Sequence, residues 1–350
     1  ENGTILKGTI TSDVTLAAGN TYKLSGEYIV EEGATLHIEE GVKIIAVYDD
    51  IADYILVKQG GKINAVGTPD KPIVMTSEKE EPGAWGGIHI CGRAHTNAEG
   101  GKGSSEIGGA VYGGNDDADN SGTLQYIRLE YTGFAFDEEH EANGISFYSV
   151  GNGTIVDHCQ AYKGSDDGFE FFGGSVNVSN LVAVSCSDDS FDWTEGWNGK
   201  GTNLVAYQEA ESTLGYDCDC LMECDNNGSN NAATPVAHPV LKNLILVGNG
   251  GSKQGIRLRA GTEVEIDNAK VCGKGQPLTV ETALTENALK NGTSKLTNIT
   301  LTSELSSKEG IYTHADFIAV TSNKVDANLS YSSFEDIRKE CSWMNGSWVK

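Results

Sequence analysis

The chain has 350 residues and a formal net charge of −25, and it contains 44 glycines but only 6 prolines. This composition supplies many tight turns and is typical of an all-β protein. The acidic residues are spread along the chain, and the clustered Lys and Arg that neutralise phosphates are missing, which excludes nucleic acid as a partner. No apolar run reaches about 18 residues, so no membrane span is predicted.

Residues 1–27 are predicted to form an N-terminal cap and the first strands. From residue 28 to residue 300, short segments alternate apolar and polar residues, which is the period-2 pattern of a strand with one buried face. Residues 92–122 interrupt this pattern with Gly, Asn, Ser and Asp. We interpret them as a loop inserted between strands.

Two repeated elements occur in the middle of the chain. Asp166 begins the hexapeptide Asp-Asp-Gly-Phe-Glu-Phe, and 22 residues later Asp188 begins Asp-Asp-Ser-Phe-Asp-Trp. Repeats of this length indicate a solenoid, in which stacked coils bury a shared core, and coils of about 22 to 25 residues imply on the order of a dozen of them. The second element is an Asn followed by an apolar run, at Asn180, Asn203, Asn243, Asn268 and Asn298.

Two later segments are predicted as further loop insertions, residues 209–238 and residues 281–295. The first contains Cys218, Cys220 and Cys224, and the second carries Ala and Leu at a spacing that predicts a short helix. The eight cysteines form an even number, which is compatible with disulfides in an oxidising compartment. No fourth ligand lies close enough to the three clustered cysteines for a compact zinc site. Disulfides or free thiols are therefore favoured over a metal.

Residues 301–350 are predicted to form C-terminal coils and a cap. The segment from Phe334 to Lys350 is expected to cover the open end of the solenoid, because an exposed last coil would present unpaired strand edges. We therefore predict one all-β domain over residues 1–350, a single-stranded right-handed parallel β-helix with loop insertions and a capping C-terminal segment. A propeller would repeat at about 40 to 50 residues, a period that the sequence does not show.

Several motifs resemble a known family, in order and over nearly the whole chain. They occupy residues 28–41, 60–77, 85–92, 121–131, 172–177 and 195–200, together with the double-aspartate hexapeptides and Trp343 and Trp348. The sequence is similar to secreted or surface-anchored right-handed parallel β-helix proteins of Gram-negative bacteria, which often carry a transporter-type name. The resemblance implies a location outside the cell, on the outer-membrane surface or in the periplasm, and a lipid anchor upstream of Glu1. It implies no established activity.

The two hexapeptides place carboxyl groups in register. Neighbouring parallel strands lie about 4.8 Å apart, so the aspartates of one coil should lie directly next to those of the following coil. Like charges this close raise one another's pKa or require a cation. The carboxylates expected in this region are Asp166, Asp167, Glu170, Asp188, Asp189 and Asp192.

Three interpretations of these carboxylates remain open. The aspartates could cap turns by accepting backbone N–H bonds. Asp166, Asp167, Asp188 and Asp189 could instead bind Ca²⁺, which prefers carboxylate and carbonyl oxygens, although no cofactor is required by the fold. In the third interpretation Asp167, Asp188 and Asp189 are catalytic, since glycoside hydrolysis uses paired carboxylates.

The third interpretation draws on a partial resemblance to pectin-hydrolysing β-helix enzymes. Residues 165–169 resemble their first aspartate motif, Asp188 and Asp189 resemble their double aspartate, and Arg257 and Arg259 resemble a later basic motif. Those enzymes carry a His-Gly one coil further on, and this chain has no His between residues 159 and 237. The catalytic set is therefore incomplete.

The candidate ligand-binding residues are Trp197, Arg257, Arg259, Glu170 and Asp192. Trp197 lies in a Gly- and Asn-rich turn and is predicted to expose its ring for stacking on a sugar. The two arginines alternate with apolar residues, so both should point outward, where their simplest role is pairing with acidic side chains. We expect a monomeric extracellular or cell-surface protein that binds glycan or another surface partner without catalysis. The alternative is a polysaccharide hydrolase or lyase.

Overall fold

The computed structural model describes residues 3–350, in which strands make up most of the regular structure. In chain order, the first thirteen strands are β1 (Ile5–Ile10), β2 (Val14–Leu16), β3 (Thr21–Val30), β4 (Thr35–Ile38), β5 (Lys43–Ala46), β6 (Tyr54–Val57), β7 (Lys62–Val66), β8 (Ile73–Ser77), β9 (Ile88–Cys91), β10 (Gly103–Ser104), β11 (Val111–Tyr112), β12 (Gly122–Glu130) and β13 (Ile145–Tyr148). The others are β14 (Ile155–Tyr162), β15 (Phe169–Phe172), β16 (Asn177–Val184), β17 (Phe191–Thr194), β18 (Lys200–Tyr207), β19 (Met222–Asp225), β20 (Val240–Val247), β21 (Gln254–Arg259), β22 (Glu265–Cys272), β23 (Gln276–Val280), β24 (Lys295–Leu301), β25 (Ser306–Ser307) and β26 (Lys324–Val325).

All named strand pairs in residues 3–350 are parallel except β10 with β11. They form three ladders, and each coil contributes one segment to each ladder. From β12 onward the first and second ladders share the long strands, the first using their opening residues and the second their closing residues; for example, Thr123 pairs with Ile155 and Ile127 pairs with Cys159. In β3 the opening residues belong to the second ladder and the closing residues to the third. The third ladder runs through β1, β3, β6, β9, β13, β15, β17, β19, β21, β23 and β25. The predicted parallel β-helix is confirmed.

A corner residue with positive φ joins the first ladder to the second within each long strand from β12 onward. Asn180, Asn203 and Asn243 take this position, with φ of 57°, 59° and 62°. Asn tolerates the left-handed region better than most residues. The recurring Asn of the sequence therefore marks the bend between two ladders.

The core runs inside the coils as one apolar cluster from Leu6 to Phe317. Inward residues of neighbouring coils stack, as Phe147 does on Phe171 and Phe169 on Phe191, with ring centroids 5.0 Å and 5.6 Å apart. The alternate residues of the third ladder point away from this core. These outward side chains form the site described below.

The segment between β9 and β12 leaves the coils and contains a short 3-10 helix (Glu99–Gly101) and the β10–β11 hairpin. Residues 209–238 also leave the coils but return within the segment, so the prediction of one continuous insertion there is wrong. β19 lies inside it and pairs with β17 and β21, because its alternating Met-Glu-Cys-Asp sequence supplies a coil strand. α1 (Glu211–Leu214) precedes β19. The helix predicted within 281–295 is α2 (Ala283–Lys290).

The C-terminal region divides into two parts. Near the last coil, Phe317 of α3 (His314–Ala319) and Tyr312 join the core. The remainder contains α4 (Phe334–Glu340) and a 3-10 helix (Ser342–Met344). It packs along the side of the solenoid on outward residues of the second ladder, a cluster that includes Val182, Val184, Val205, Ile245, Val247 and Trp348.

The prediction that Phe334 to Lys350 covers the open end is therefore wrong. The second ladder carries apolar residues on both of its faces, and the outer face needs a cover. Trp348 is fully buried there, and the backbone N–H of Ser347 reaches back to the carbonyl oxygen of Pro69 at 2.8 Å.

All eight cysteines are buried and unpaired. Of the two predicted alternatives, disulfides or free thiols, the structure shows free thiols. No described helix is long and apolar enough to cross a membrane.

Candidate functional site

The outward side chains of the third ladder form a polar row. In-register pairing places Glu170 of β15 next to Asp192 of β17, and Asp192 next to Glu223 of β19. Arg257 of β21 follows Glu223. On each of these strands the flanking residues point into the core, as Phe191 and Trp193 do around Asp192. The coil geometry therefore aligns one acidic side chain per coil on the outer face.

The turns that precede these strands bring further carboxylates to the same place. The turn before β15 contains Asp166 and Asp167, and the turn before β17 contains Asp188 and Asp189. One oxygen of Asp167 accepts a hydrogen bond from the backbone N–H of Asp189 at 2.9 Å, and Asp189 accepts one from Cys220 at 2.9 Å. Two aspartates thus cap the next coil with one oxygen each, which leaves the second oxygen for other contacts.

The side chains of neighbouring coils approach one another closely. Within each of four groups, the potential ligand atoms all lie within 4.8 Å of one another. The groups are Asp166 with Asp167 and Asp188, Asp167 with Glu170 and Asp192, Asp189 with Asp192 and Glu223, and Asp189 with Asp219 and Cys220. We call the surface formed by Asp166, Asp167, Glu170, Asp188, Asp189, Asp192, Asp219 and Glu223 the acidic groove.

Burial and mutual repulsion change the acidity of these carboxyl groups. Burial, followed by the charges of Asp188 and Glu141, raises the pKa of Asp166 to about 8. Burial and neighbouring carboxylates also raise the pKa of Asp167, Glu170 and Asp192 well above the usual range. The same causes raise the pKa of Asp189 and Asp188. Without a cation, Asp166 therefore keeps its proton at neutral pH, and burial and repulsion disfavour the ionised form of the other carboxyl groups.

The two arginines predicted as ligand-binding residues are already paired. Arg257 contacts Glu223 at 3.3 Å and Glu281 at 3.2 Å. Arg259 contacts Glu223 at 2.8 Å and Asp225 at 2.7 Å. The guanidinium groups thus neutralise one end of the row and leave the carboxylates of β15 and β17 without a cationic partner.

Polar atoms without partners concentrate along this row. Among residues 3–350, six buried side-chain nitrogen or oxygen atoms have no hydrogen-bond partner. His89 Nδ1 lies at one end of the row, next to Ser146 in the register, and Thr279 Oγ1 lies at the other end, next to Arg257. Buried polar groups are almost always satisfied, so their concentration here points to a bound molecule or water.

A third such atom belongs to Asn143, whose side chain is fully buried. Its Nδ2 donates to Glu170 Oε2 at 2.6 Å and to Ser146 Oγ at 2.9 Å, while its Oδ1 has no partner. A fourth is Arg257 Nε. Four of the six atoms therefore lie on the row or in contact with it.

The segment 92–121 packs on the outer face of the third ladder, beside the strands that carry the carboxylates. Its apolar residues Ile107 and Tyr112 pack with Tyr148 and Phe172 on the outer face of the third ladder. Polar contacts fix the segment to the next coils: His95 Nε2 lies 2.7 Å from the carbonyl oxygen of Gly196, and Tyr112 and Thr96 both donate to Glu195. The segment is therefore tied to the coils that carry the carboxylates.

The family described as "Pectate-lyase like beta helix domain" matches residues 8–349. The chain belongs to this family. No curated protein matches the chain. Among solved structures, the crystal structure of the Dettilon tailspike protein is similar, with 9% sequence identity and a TM-score of 0.33. The match covers 83% of this chain and 57% of that one, so the chain spans a little over half of the tailspike's length.

In this pectate-lyase-like β-helix, the turn that carries Trp197 folds inward. The Trp197 side chain is 1% exposed and stacks on Phe171 with centroids 4.0 Å apart, and its Nε1 donates to the carbonyl oxygen of Val176. The prediction of an exposed ring is therefore wrong, because the glycines of the turn allow the ring to enter the core. Phe136, in the loop before β13, is 45% exposed.

A concave region of this pectate-lyase-like β-helix lies outside the acidic groove and shares none of its residues. It has a volume of about 670 Å³ and is lined by residues that include Lys71, Arg128 and Lys350. These cations are paired, Arg128 and Lys350 with Glu130 and Lys71 with Glu40. Its charges are therefore balanced within the protein, unlike those of the acidic groove, and we place the candidate site in the groove.

The sequence indicated part of the groove and missed the rest. The structure brings together Asp166, Asp167, Asp188, Asp189, Glu170 and Asp192, as their 22-residue spacing predicted. Glu223 and Asp219 were missed because the segment before β19 breaks that spacing. The alternation of Met222-Glu223-Cys224 matches that of Phe191-Asp192-Trp193 and is the signal that could have identified Glu223.

Proposed function

We propose that the acidic groove binds a carbohydrate. The observation that carries this proposal is the row of carboxylates from three successive coils, which ends in unpartnered buried polar atoms. Carboxylates accept hydrogen bonds. A ligand rich in hydroxyl donors complements such a surface.

The shape of the row supports a chain-like ligand. The carboxylates repeat along the solenoid at the spacing of adjacent strands, about 4.8 Å. A polymer lying along the axis can contact several coils at once. The arginines are already paired with acids, so a neutral polysaccharide suits the groove better than a polyanion.

The remaining parts of the proposal rest on the family resemblance found in the sequence. Similarity to secreted and surface-anchored β-helix proteins of Gram-negative bacteria supports a location outside the cell or in the periplasm. It also supports a glycan or cell-surface partner and an upstream lipid anchor. We propose a monomer that binds without catalysis.

A panel of neutral and acidic polysaccharides tests this function by affinity electrophoresis or microarray. We expect retention on at least one neutral polysaccharide, and at least about a tenfold weaker affinity for Glu170→Gln combined with Asp192→Asn. Glu309→Gln is the matched control, because Glu309 is an exposed carboxylate outside the acidic groove. Equal binding by all three proteins, or no binding to any member of the panel, would contradict the proposal.

Polysaccharide hydrolysis is a second candidate, and the raised pKa of Asp166, about 8, favours it. A general acid must hold its proton at the working pH, as paired carboxyl groups in glycosidases do. A lyase is less favoured, since its base would have to be Lys or Arg and both arginines are paired.

Release of reducing ends from the same panel tests hydrolysis. Asp189→Asn keeps the oxygen that accepts the Cys220 N–H bond, so its fold should persist. Activity that disappears in this variant would establish hydrolysis and contradict binding without catalysis.

A further inference from the structure

We infer that Phe136 provides the aromatic face on which one ring of a neutral polysaccharide stacks, at the edge of the acidic groove. This role rests on the proposed carbohydrate binding and deepens it. It assigns a residue that contacts the apolar face of the sugar, and it gives the direction in which the polymer lies.

The exposure of Phe136 is unusual for an aromatic residue of this chain. Among residues 3–350, Phe136 and Tyr48 are the two most exposed aromatic residues, at 45% and 56%. A single exposed apolar side chain needs no function by itself. The position of Phe136 beside the acidic groove is what distinguishes it.

The loop that carries Phe136 joins β12 to β13, and hydrogen bonds at both of its ends fix it to the acidic groove. Near its start, the carbonyl oxygen of Gly133 accepts a bond from Ser165 Oγ at 2.7 Å, and Ser165 directly precedes the first groove aspartate. Near its end, Asn143 Nδ2 donates to Glu170 Oε2 at 2.6 Å. The loop is therefore anchored to the residues that form the groove.

Contacts around Phe136 hold its ring in place. Its backbone N–H donates to the carbonyl oxygen of His140 at 2.9 Å. Its ring makes edge contacts with Phe134 and Tyr54, with centroids 5.2 Å and 6.0 Å apart. A ring that is already ordered loses little conformational entropy when a ligand binds.

The contact with Tyr54 places Phe136 beside an earlier coil than the carboxylates. Tyr54 belongs to β6, and the third ladder runs from β6 through β9 and β13 to Glu170 of β15. Three strand spacings correspond to about 14 Å. A polymer that contacts both Phe136 and Glu170 must therefore run along the solenoid axis for several sugar residues.

The charge of the loop favours a neutral polymer. The loop carries four carboxylates, at Asp137, Glu138, Glu139 and Glu141. A polyanion would be repelled by the loop as well as by the groove. A neutral sugar can place its C–H face against the negative face of the ring and donate its hydroxyl groups to the carboxylates.

Calorimetric titration of the full chain with neutral hexasaccharides of glucose, mannose and xylose tests this role. We expect at least one of them to bind, and Phe136→Ala to lower its affinity at least about tenfold. Phe136→Leu keeps apolar bulk without a flat face and should lose a similar amount, whereas Phe136→Trp should bind within about twofold of the unsubstituted chain. Tyr48→Ala is the matched control, because it removes an exposed ring that packs on Lys79, and it should leave binding unchanged.

Circular dichroism of each variant verifies the fold. Binding that persists in Phe136→Ala but is lost in Glu170→Gln combined with Asp192→Asn would contradict only the role of Phe136. Loss in Phe136→Ala with full binding by that double variant would support the stacking contact and contradict the carboxylate contacts of the proposed function. An equal loss in Tyr48→Ala would contradict a specific role for Phe136, and no binding to any hexasaccharide would contradict both proposals.

Discussion

Two stacks of polar side chains run along this solenoid. They differ in whether their members can satisfy one another's hydrogen-bonding groups. At the corner between the first two ladders, Asn203 donates to Asn180 at 2.9 Å, Asn243 donates to Asn203 at 3.1 Å, and Asn268 donates to Asn243 at 2.8 Å. We call this stack the asparagine ladder. Each amide both donates and accepts, so one coil completes the hydrogen bonds of the next.

The acidic groove also repeats a polar side chain once per coil, but its members do not complete one another's hydrogen bonds. Ionised carboxylates only accept hydrogen bonds, so a stack of them has no internal donors unless protons or cations enter. The asparagine ladder is therefore a structural device, whereas the acidic groove stores repulsion that a ligand can relieve. On the same fold, the asparagine ladder is thus a stabilising repeat and the acidic groove is a candidate functional one.

Breaking the asparagine ladder should change the free energy of unfolding more than any other substitution proposed here. Asn203→Ala removes hydrogen bonds to Asn180 and Asn243 and puts Ala at φ 59°. We expect a loss on the order of 3 kcal/mol in the free energy of unfolding, measured by denaturant titration. Asn203→Gly is the control, because glycine accepts this φ freely and should lose about 1 kcal/mol less. An unchanged stability in Asn203→Ala would refute the structural role of the ladder.

In the acidic groove we expect the opposite result, a substitution that raises the free energy of unfolding. Asp192→Asn replaces a repelled carboxylate by a neutral amide, and without metal ions at about pH 8 it should raise the free energy of unfolding by about 1–2 kcal/mol. The same substitution at Asp267 serves as control. Asp267 accepts from Asn298 and Thr297, which lower its pKa, so Asp267→Asn should be destabilising. If Asp192→Asn destabilised the chain as Asp267→Asn does, the carboxylates of the acidic groove would not be under repulsion.

The pH dependence of stability should show the smallest of these effects. A carboxyl group with a raised pKa binds more protons in the folded than in the unfolded state, so stability falls as pH rises between the two pKa values. For Asp166 this window runs from its ordinary value of 3.8 to about 8. In EDTA we expect the Tm to fall by on the order of 5 °C between about pH 5 and pH 8.

Groups outside the groove also bear on this measurement. Burial lowers the pKa of His89 to about 4, so between about pH 5 and its ordinary value of 6.5 only the unfolded chain is protonated there, and this group makes stability rise with pH. Burial raises the pKa of Asp53 and of Glu106 to about 7, and these two groups make stability fall over the same range. Comparison with Glu170→Gln combined with Asp192→Asn isolates the groove, and this variant should show a flatter profile. A Tm that rises with pH in the unsubstituted chain would contradict the account.

The fold and the aspartates of the acidic groove could be predicted from the sequence, because both depend on short repeats in it. Alternation set which side chains point outward, and the 22-residue spacing placed Asp166 and Asp167 next to Asp188 and Asp189. Glu223 lay beyond this reasoning because an insertion separates it from Asp192. Asn143 was also beyond it, since a single residue in a loop carries no period.

The positions of Trp197 and of the C-terminal segment could not be predicted for another reason. Both depend on tertiary packing. A Gly-rich turn suggested an exposed ring, but the same glycines let the ring fold inward. The run Leu181 to Val184 is apolar at successive positions rather than alternating, and such a strand needs cover on both faces. That signal indicated a partner for the outer face, but not that the distant Trp348 would supply it.

A crystal structure of the full chain, grown with an oligosaccharide from the retained polysaccharide, tests the central claim most directly. The account predicts sugar density along the acidic groove with hydroxyl groups bonded to the carboxylates of β15 and β17. Sugar bound only in the region lined by Lys71, Arg128 and Lys350, with the groove occupied by water alone, would contradict it.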